Sequence, residues 1–374
     1  MKKKSIGIIG GGLSGLVAAI HLSKNNLPVF LFEKETYPNH KVCGEYLSQE
    51  IIPYLERLDI HLSDLKPAII DRLQYSTTSG RVVKTKLPLG GLGISRYALD
   101  HFLYKKAIAC GVTIVTALVT DSIFKEAQFI VTTNKKQEFY FDIVLGAFGK
   151  RSLMDKKLER NFIDQKSGWL AIKGHYKKDD FPDDLVMLHN FIGGYCGLSK
   201  TETGVINVCY LASYNSFKKH KDPLTFKDKV LMQNPQLRAF FQEAIPLFEK
   251  DISIAQISFQ NKSCVQDHIL MLGDAAGLIH PLSGNGMAMA IHSAKIASEA
   301  ILNQISKQEF SRVTMELEYK KNWKDQFSTR LRMGGILQRI LLSKKLSGFV
   351  QRIIHTFPSV LPKIISKTHG KPII

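Results

Sequence analysis

The sequence predicts an α/β fold in which a parallel sheet, assembled from both ends of the chain, joins a second lobe of mostly antiparallel strands. Three observations carry this. An apolar strand, a glycine turn and a helix open the chain, and a second apolar strand ends at Gly273-Asp274, about 260 residues later. Between them lie short segments separated by turn residues rather than by helical periodicity. At 374 residues the chain exceeds what one core usually holds, which favours two lobes.

Lys4 to Ile9 reads as a short buried strand, followed by Gly10-Gly11-Gly12-Leu13-Ser14-Gly15. A helix is expected from about Ser14 to Asn25, with Leu16, Val17, Ile20 and Leu22 on its apolar face. Pro28 to Phe32 is a second buried strand closing on Glu33, which completes one β-α-β unit. In the middle, 73–77 and 82–86 flank Thr78-Ser79-Gly80 as a hairpin, and Ser95 is placed to cap a helix through Cys110. A further hairpin is expected from 123–133 and 138–141 around Asn134-Lys135-Lys136. Strands at 169–176, 185–190, 196–199 and 205–211 build the second lobe, and a long helix is expected to begin near Ser283.

Gly10-x-Gly12-x-x-Gly15 has the spacing of a dinucleotide turn. The first glycine makes the turn, the second admits a pyrophosphate close to the backbone, and the third lets helix and strand pack. Ser14 and the N–H groups at the helix start, aided by the helix dipole, suit a diphosphate. Glu33, with Lys34 after it, ends the next strand, where a carboxylate accepts both ribose hydroxyls of an adenosine. A second set follows: Gly273-Asp274-Ala275-Ala276-Gly277, then Pro281, then Gly284-Asn285-Gly286-Met287. A nicotinamide nucleotide domain has no need of it. A flavin has, because Asp274 can bind a ribityl hydroxyl and a helix starting near Gly284 can aim N–H groups at the ring edge that becomes negative on reduction.

The glycine hexad, Glu33, the run Lys41-Val42-Cys43-Gly44-Glu45, Arg96 with Leu99-Asp100, and the GDAAG…P…GNGM run together resemble the p-hydroxybenzoate hydroxylase superfamily of FAD-dependent oxidoreductases. Within it the Lys-Val-Cys-Gly segment is most similar to the geranylgeranyl reductase branch. The resemblance covers about residues 1–330. It implies a glutathione-reductase-type Rossmann FAD domain, discontinuous over 1–65, 95–155 and 262–330, and a mostly antiparallel β-sheet substrate domain at 66–94 and 156–261. It also implies that Arg96 contacts the diphosphate region and that Cys43 to Glu45 line the flavin. Many members carry Gly-Ala-Asp-Gly after the Asp-Ile-Val strand, whereas this chain has Ala147-Phe148-Gly149 there. With no second glycine motif, NAD(P)H would visit only transiently as electron donor. The related flavin-dependent halogenases carry Trp-x-Trp-x-Ile-Pro; here Gly168-Trp169-Leu170-Ala171-Ile172-Lys173 has one tryptophan.

The sequence leaves the catalytic side chains open. Cys43, Lys173, His175 and Tyr195 are candidates, with His189, Asn190 and Tyr210 also on strands of the second lobe. Lys173 and His175 lie two apart and so share one face. Three functions are open. The first is an NAD(P)H-dependent monooxygenase hydroxylating or oxidising an apolar aromatic, polyketide or isoprenoid substrate. The second is a geranylgeranyl-reductase-like double-bond reductase, and the third a flavin-bound protein without turnover.

The five cysteines are scattered with no metal spacing, which indicates reduced thiols in a cytoplasmic setting, and no metal is expected. Lys2 to Lys4 before an apolar run imitate a signal peptide, but four glycines break that run. The net charge is +18, and half of it sits in nine basic residues after Gln326, a stretch without Asp or Glu. No nucleic-acid motif accompanies that charge. Between Leu331 and Phe357, apolar residues including Met333, Leu337, Ile340, Phe349, Val350 and Ile354 recur at helical spacing. The resulting basic amphipathic tail, 331–374, has three expected placements: packed on the core, closed over the active site as a lid, or lying on the inner face of an anionic membrane.

Overall fold

The computed structural model describes residues 3–165, 167–220, 222–279, 284–342, 344–357, 362, 365 and 370–374. A six-stranded sheet runs in the order Val265–Gln266, Ile269–Met271, Ile143–Gly146, Ile6–Ile9, Val29–Glu33, Thr113–Thr116. All its pairings are parallel except that of the two outermost strands, Val265–Gln266 and Ile269–Met271. Ile6–Ile9 is buried at every residue, as a central parallel strand covered on both faces must be. The helices Leu13–Lys24 and Gly286–Ile305 pack together on it, and ten of the twelve residues of the first are buried.

A three-stranded antiparallel sheet, Val119–Lys125, Gln128–Thr133 and Glu138–Phe141, packs on the first through Phe139 and Phe141 against Phe30 and Phe32. The expected single strand over 123–133 is therefore two. Glu126 and Ala127 turn the chain with φ of 50° and 62°. Neither is a glycine, and no Gly, Pro, Asn or Asp stands between Ile123 and Thr133 to mark the turn.

The second lobe is a nine-stranded sheet containing Ala68–Ser76, Val82–Gly93, Trp169–Lys177, Leu185–Phe191, Gly194–Lys200 and Ile206–Ser213. Its pairings are mostly antiparallel, the exception being Leu185–Phe191 beside Ala68–Ser76. One face carries Leu170, Ile172, Tyr176, Cys196, Val208 and Tyr210 and is covered by the helices Pro223–Lys229 and Pro235–Glu243, through Phe226 and Phe240. The other face, with Ala171, Lys173, His175, Tyr195 and Leu211, turns toward the first sheet.

The helices Arg312–Leu342 and Lys344–Thr356 follow late in the chain. Ile354 and Ile365 are buried against Leu73, Tyr75 and Val83 of the second sheet, so the tail packs on the core. Its anchor is Glu50, fully buried, whose carboxylate meets the Arg330 guanidinium at 3.1 Å and the Asn285 amide at 3.3 Å. The same carboxylate accepts from Gly370 N–H, and the Glu50 carbonyl accepts from Ile373 N–H at 2.7 Å.

Removing one member of a buried ion pair leaves the other charge uncompensated, at a cost of about 3–5 kcal/mol. Glu50→Ala is expected to lose about that much stability in urea denaturation. Arg72→Ala, which breaks an exposed pair with Asp184, should lose under about 1 kcal/mol. Equal losses would show that the tail is not anchored at Glu50.

Candidate functional site

The strand Ile6–Ile9 ends at Gly10, whose φ is 107°, and a side chain there would collide with the Ala147 carbonyl. Gly15 is similarly closed by the Gly10 carbonyl, which lets the helix sit directly on the turn. Gly12 differs. A Cβ built on it would meet nothing nearer than the Arg96 guanidinium at 3.8 Å, so the space beside its backbone is open. Glu33 folds onto this turn and accepts from Gly11 N–H at 2.7 Å, while the Tyr37 hydroxyl donates to the Gly11 carbonyl at 2.5 Å. Tyr37 escaped the sequence reading because it lies after the strand, outside the motif.

Arg96 is the first residue of the helix Arg96–Ala109, which Ser95 caps by accepting from Ala98 N–H. It makes two 2.8 Å bonds to Asp100, one turn on, and Lys41 reaches the same carboxylate at 3.0 Å. Burial disfavours the charge on Asp100, but the two cations overcome that and hold its carboxyl below the usual range. Arg96 is thus a fixed cation beside the open face of Gly12.

The second motif arrives on the neighbouring strand, Ile269–Met271. Gly273 N–H donates to Ser293 Oγ at 2.8 Å, which ties this turn to the helix Gly286–Ile305. Lys262 donates to the carbonyls of Asp274 and Lys150, at 2.8 and 2.9 Å, and so joins the two strand-end loops. Burial pushes this lysine down to about 8. The Asp274 carboxylate makes no hydrogen bond among the described residues.

Both motifs open into one cavity of about 1080 Å³. Gly10, Gly12, Ser14, Glu33, Lys34 and Arg96 line one end of the motif wall, and Asp274, Gly284, Gly286 and Met287 another. Cys43 and Gly44 lie between lobes on the same surface. The open backbone at Gly12, an unbonded carboxylate at Asp274 and a fixed cation at Arg96 suit a dinucleotide flavin. Gly15 and Gly273 support the turns from behind. Asn285 does not reach the cavity; it bonds to Glu50 instead. Pro281 lies outside the described residues.

Away from these motifs the cavity becomes apolar. Leu73, Tyr75, Leu87, Val186 and Leu188 of the second sheet form its floor, and Ile340, Val350, Ile354 and Ile365 of the tail its roof.

The candidate side chains separate. Tyr195 and Cys43 line the cavity. Lys173 and His175 share a face as expected but do not line the cavity. They stand behind Glu45, with Lys173 Nζ 2.5 Å from Oε1 and His175 Nε2 2.9 Å from Oε2. Glu45 also accepts from Arg96 N–H at 2.7 Å. Burial opposes its charge, yet His175 and Lys173 prevail and hold it below the ordinary carboxylate range. His189 and Asn190 are remote. His189 bonds to Ser76 at 2.8 Å, Asn190 donates to the Ser76 carbonyl, and Asn234 completes that buried network. Tyr210 stacks on Phe226 in the helix-covered core and also borders the cavity.

The geometry predicts that Asp274→Ala weakens FAD binding about tenfold or more, since a charge-assisted hydrogen bond contributes about 1.5–3 kcal/mol. His189→Ala should leave FAD affinity unchanged. Flavin titration of the apoprotein compares them, and equal affinities would contradict the assignment of Asp274.

Residues 8–39 match the NAD(P)-binding Rossmann-like domain family, and residues 197–330 match the squalene epoxidase family. A digeranylgeranylglycerophospholipid reductase of Methanosarcina mazei is 23% identical over 91% of this chain and 85% of its own. Among solved structures, a flavin-dependent brominase superposes with a TM-score of 0.77 at 16% identity, covering 98% of this chain and 93% of its own. A geranylgeranyl bacteriochlorophyll reductase-like protein from Thermoplasma acidophilum does so with a TM-score of 0.75 at 19% identity, covering 98% and 100%. These likenesses agree with the two-lobed fold and with the motifs that line its cavity. These relatives and structural neighbours are flavin-dependent oxidoreductases, and the chain is similar to them over most of its length.

Proposed function

We propose that this protein saturates carbon–carbon double bonds in a long apolar, isoprenoid-type substrate, using NAD(P)H as electron donor and FAD as the carrier between them. The observation that carries the reading is the shape of the cavity, which joins a dinucleotide cradle to an apolar chamber between sheet and tail. Similarity to digeranylgeranylglycerophospholipid reductases over most of the chain supports the same substrate class.

When bound, FAD would supply two-electron chemistry between the nicotinamide and the double bond, and a proton from solvent would complete each saturation. The chain's own residues do the rest. Gly12, Glu33, Arg96 and Asp274 hold the cofactor. The apolar floor and roof orient a flexible chain and exclude water from the reacting carbons. Tyr195 faces the cavity with its phenol pushed well above its ordinary range by burial, so it stays protonated as a hydrogen-bond donor. Phe148 lines the cavity where related sequences carry an aspartate, so no carboxylate from this position meets the visiting nicotinamide nucleotide.

The match of residues 197–330 to squalene epoxidase favours a second reading, in which the same site inserts oxygen into the apolar substrate. The two readings differ in oxygen use. Under argon, the reductase reading predicts NAD(P)H consumption driven by a polyprenyl substrate, whose mass rises by two hydrogens for each bond saturated. Product that forms only in air and carries added oxygen would replace it with the monooxygenase reading. Neither product under either atmosphere would leave a flavin-bound protein without turnover on these substrates.

The outer face of the tail supports a membrane location. Phe349 and Phe357 are about 60% exposed, Arg332 and Arg352 are exposed too, and no acid follows Asp325. Among the described residues no helix is long and apolar enough to cross a bilayer. We propose that this face rests on an anionic membrane, each basic residue near the surface contributing on the order of 1 kcal/mol. The protein should co-sediment with phosphatidylserine vesicles at low salt and be released at high salt. A Phe349→Ser/Phe357→Ser variant that binds as well as the parent would contradict the proposal.

A further inference from the structure

A glutamate with no solvent exposure stands in the cavity wall between Gly44 and Tyr46. Its backbone is left-handed, with φ of 52°, a conformation that costs a non-glycine residue free energy and persists only where surroundings enforce it. Those surroundings are cationic. Lys173, also without exposure, meets Glu45 Oε1 and donates to the Lys41 carbonyl at 3.3 Å. His175 meets Oε2, and His40 stands edge-on to it, with ring centroids 5.2 Å apart. The Lys41–Asp100–Arg96 set closes the other side. A structural tie between lobes would need only neutral hydrogen bonds, whereas this one places a full ion pair in a dry wall. In such surroundings charges act strongly on neighbours, because little water screens them.

We infer that Glu45 and Lys173 are opposed positioning charges that set the reduction potential of the flavin, the anion disfavouring electron gain and the ammonium favouring it. The inference rests on the flavin reading of this cavity. It concerns Glu45, which stands in the cavity wall with Cys43 and Gly44, and Lys173 behind it. Reduced flavin carries more negative charge than oxidised flavin. Loss of the carboxylate should therefore raise the potential, and loss of the ammonium should lower it. Removing both should return the potential toward that of the parent, because the pair's net charge is zero in both proteins.

The test is spectroelectrochemical titration of the flavin in the holoprotein and in Glu45→Gln, Lys173→Met and the double variant. Flavin content is determined first on each protein. A parent that binds no flavin refutes the reading of the cavity, which is a separate failure from a potential that does not move. The expected result is a rise for Glu45→Gln and a fall for Lys173→Met, each at least a tenfold change in the oxidised-to-reduced ratio, about 30 mV for a two-electron couple. The double variant, which buries no unpaired charge, folds more readily than Lys173→Met and should lie between the two. A merely structural role would move both single variants in one direction, or displace the double variant furthest of all. Either pattern, or no movement in any variant, overturns the inference.

Discussion

Parallel pairing of Ile6–Ile9 with Val29–Glu33 on one side and Ile143–Gly146 on the other is the constraint on which the site depends. Parallel strands deliver their carboxyl ends to one edge of the sheet, and the chain must leave each strand there. Ile269–Met271 adds a fourth end from late in the sequence. Gly10, Glu33, Phe148 and Asp274 thereby reach one edge although they are far apart in the chain. The turn at Gly10 has room for no side chain, and the turn at Gly12 has room for a ligand. That contrast comes from the register of the pairing as much as from the residues themselves.

The second dependence is electrostatic. The two lobes meet across Glu45 and the tail closes across Glu50, and both carboxylates are buried. Buried ion pairs add little net stability against an apolar alternative, yet breaking one by half is costly. They therefore act as specifiers of arrangement. Lys173 and His175 can reach Glu45 only when the strand Trp169–Lys177 lies over residues 41–45, and Gly370 can reach Glu50 only when the end of the tail comes back to residues 49–51. The apolar chamber is the space left between surfaces held in this way.

The local parts of this arrangement were legible in the sequence. A strand, a glycine turn and a helix are neighbours in the chain, so spacing alone located Gly10 to Gly15 and Gly273 to Met287. Strand alternation put Lys173 and His175 on one face. Alternation does not say what that face meets, and here it is Glu45, 128 residues from Lys173. Glu50 and Arg330 are 280 residues apart, and neither belongs to a motif, so their pairing left no local trace. The tail's helical periodicity announced an apolar stripe, but the same stripe suits a core, a lid or a membrane. Only the contacts of Ile354 and Ile365 with Leu73 and Tyr75 decide that part of it packs inward. The helices Pro223–Lys229 and Pro235–Glu243 went unread because they are short, and each starts at a proline that equally marks a loop.

The central claim is that these two motifs hold one dinucleotide flavin. The most direct measurement is to release the cofactor from purified protein by heat, separate it by chromatography and quantify it against protein. The account predicts FAD at about one per chain. FMN alone, or a colourless protein whose apo form takes up no added FAD, would contradict it.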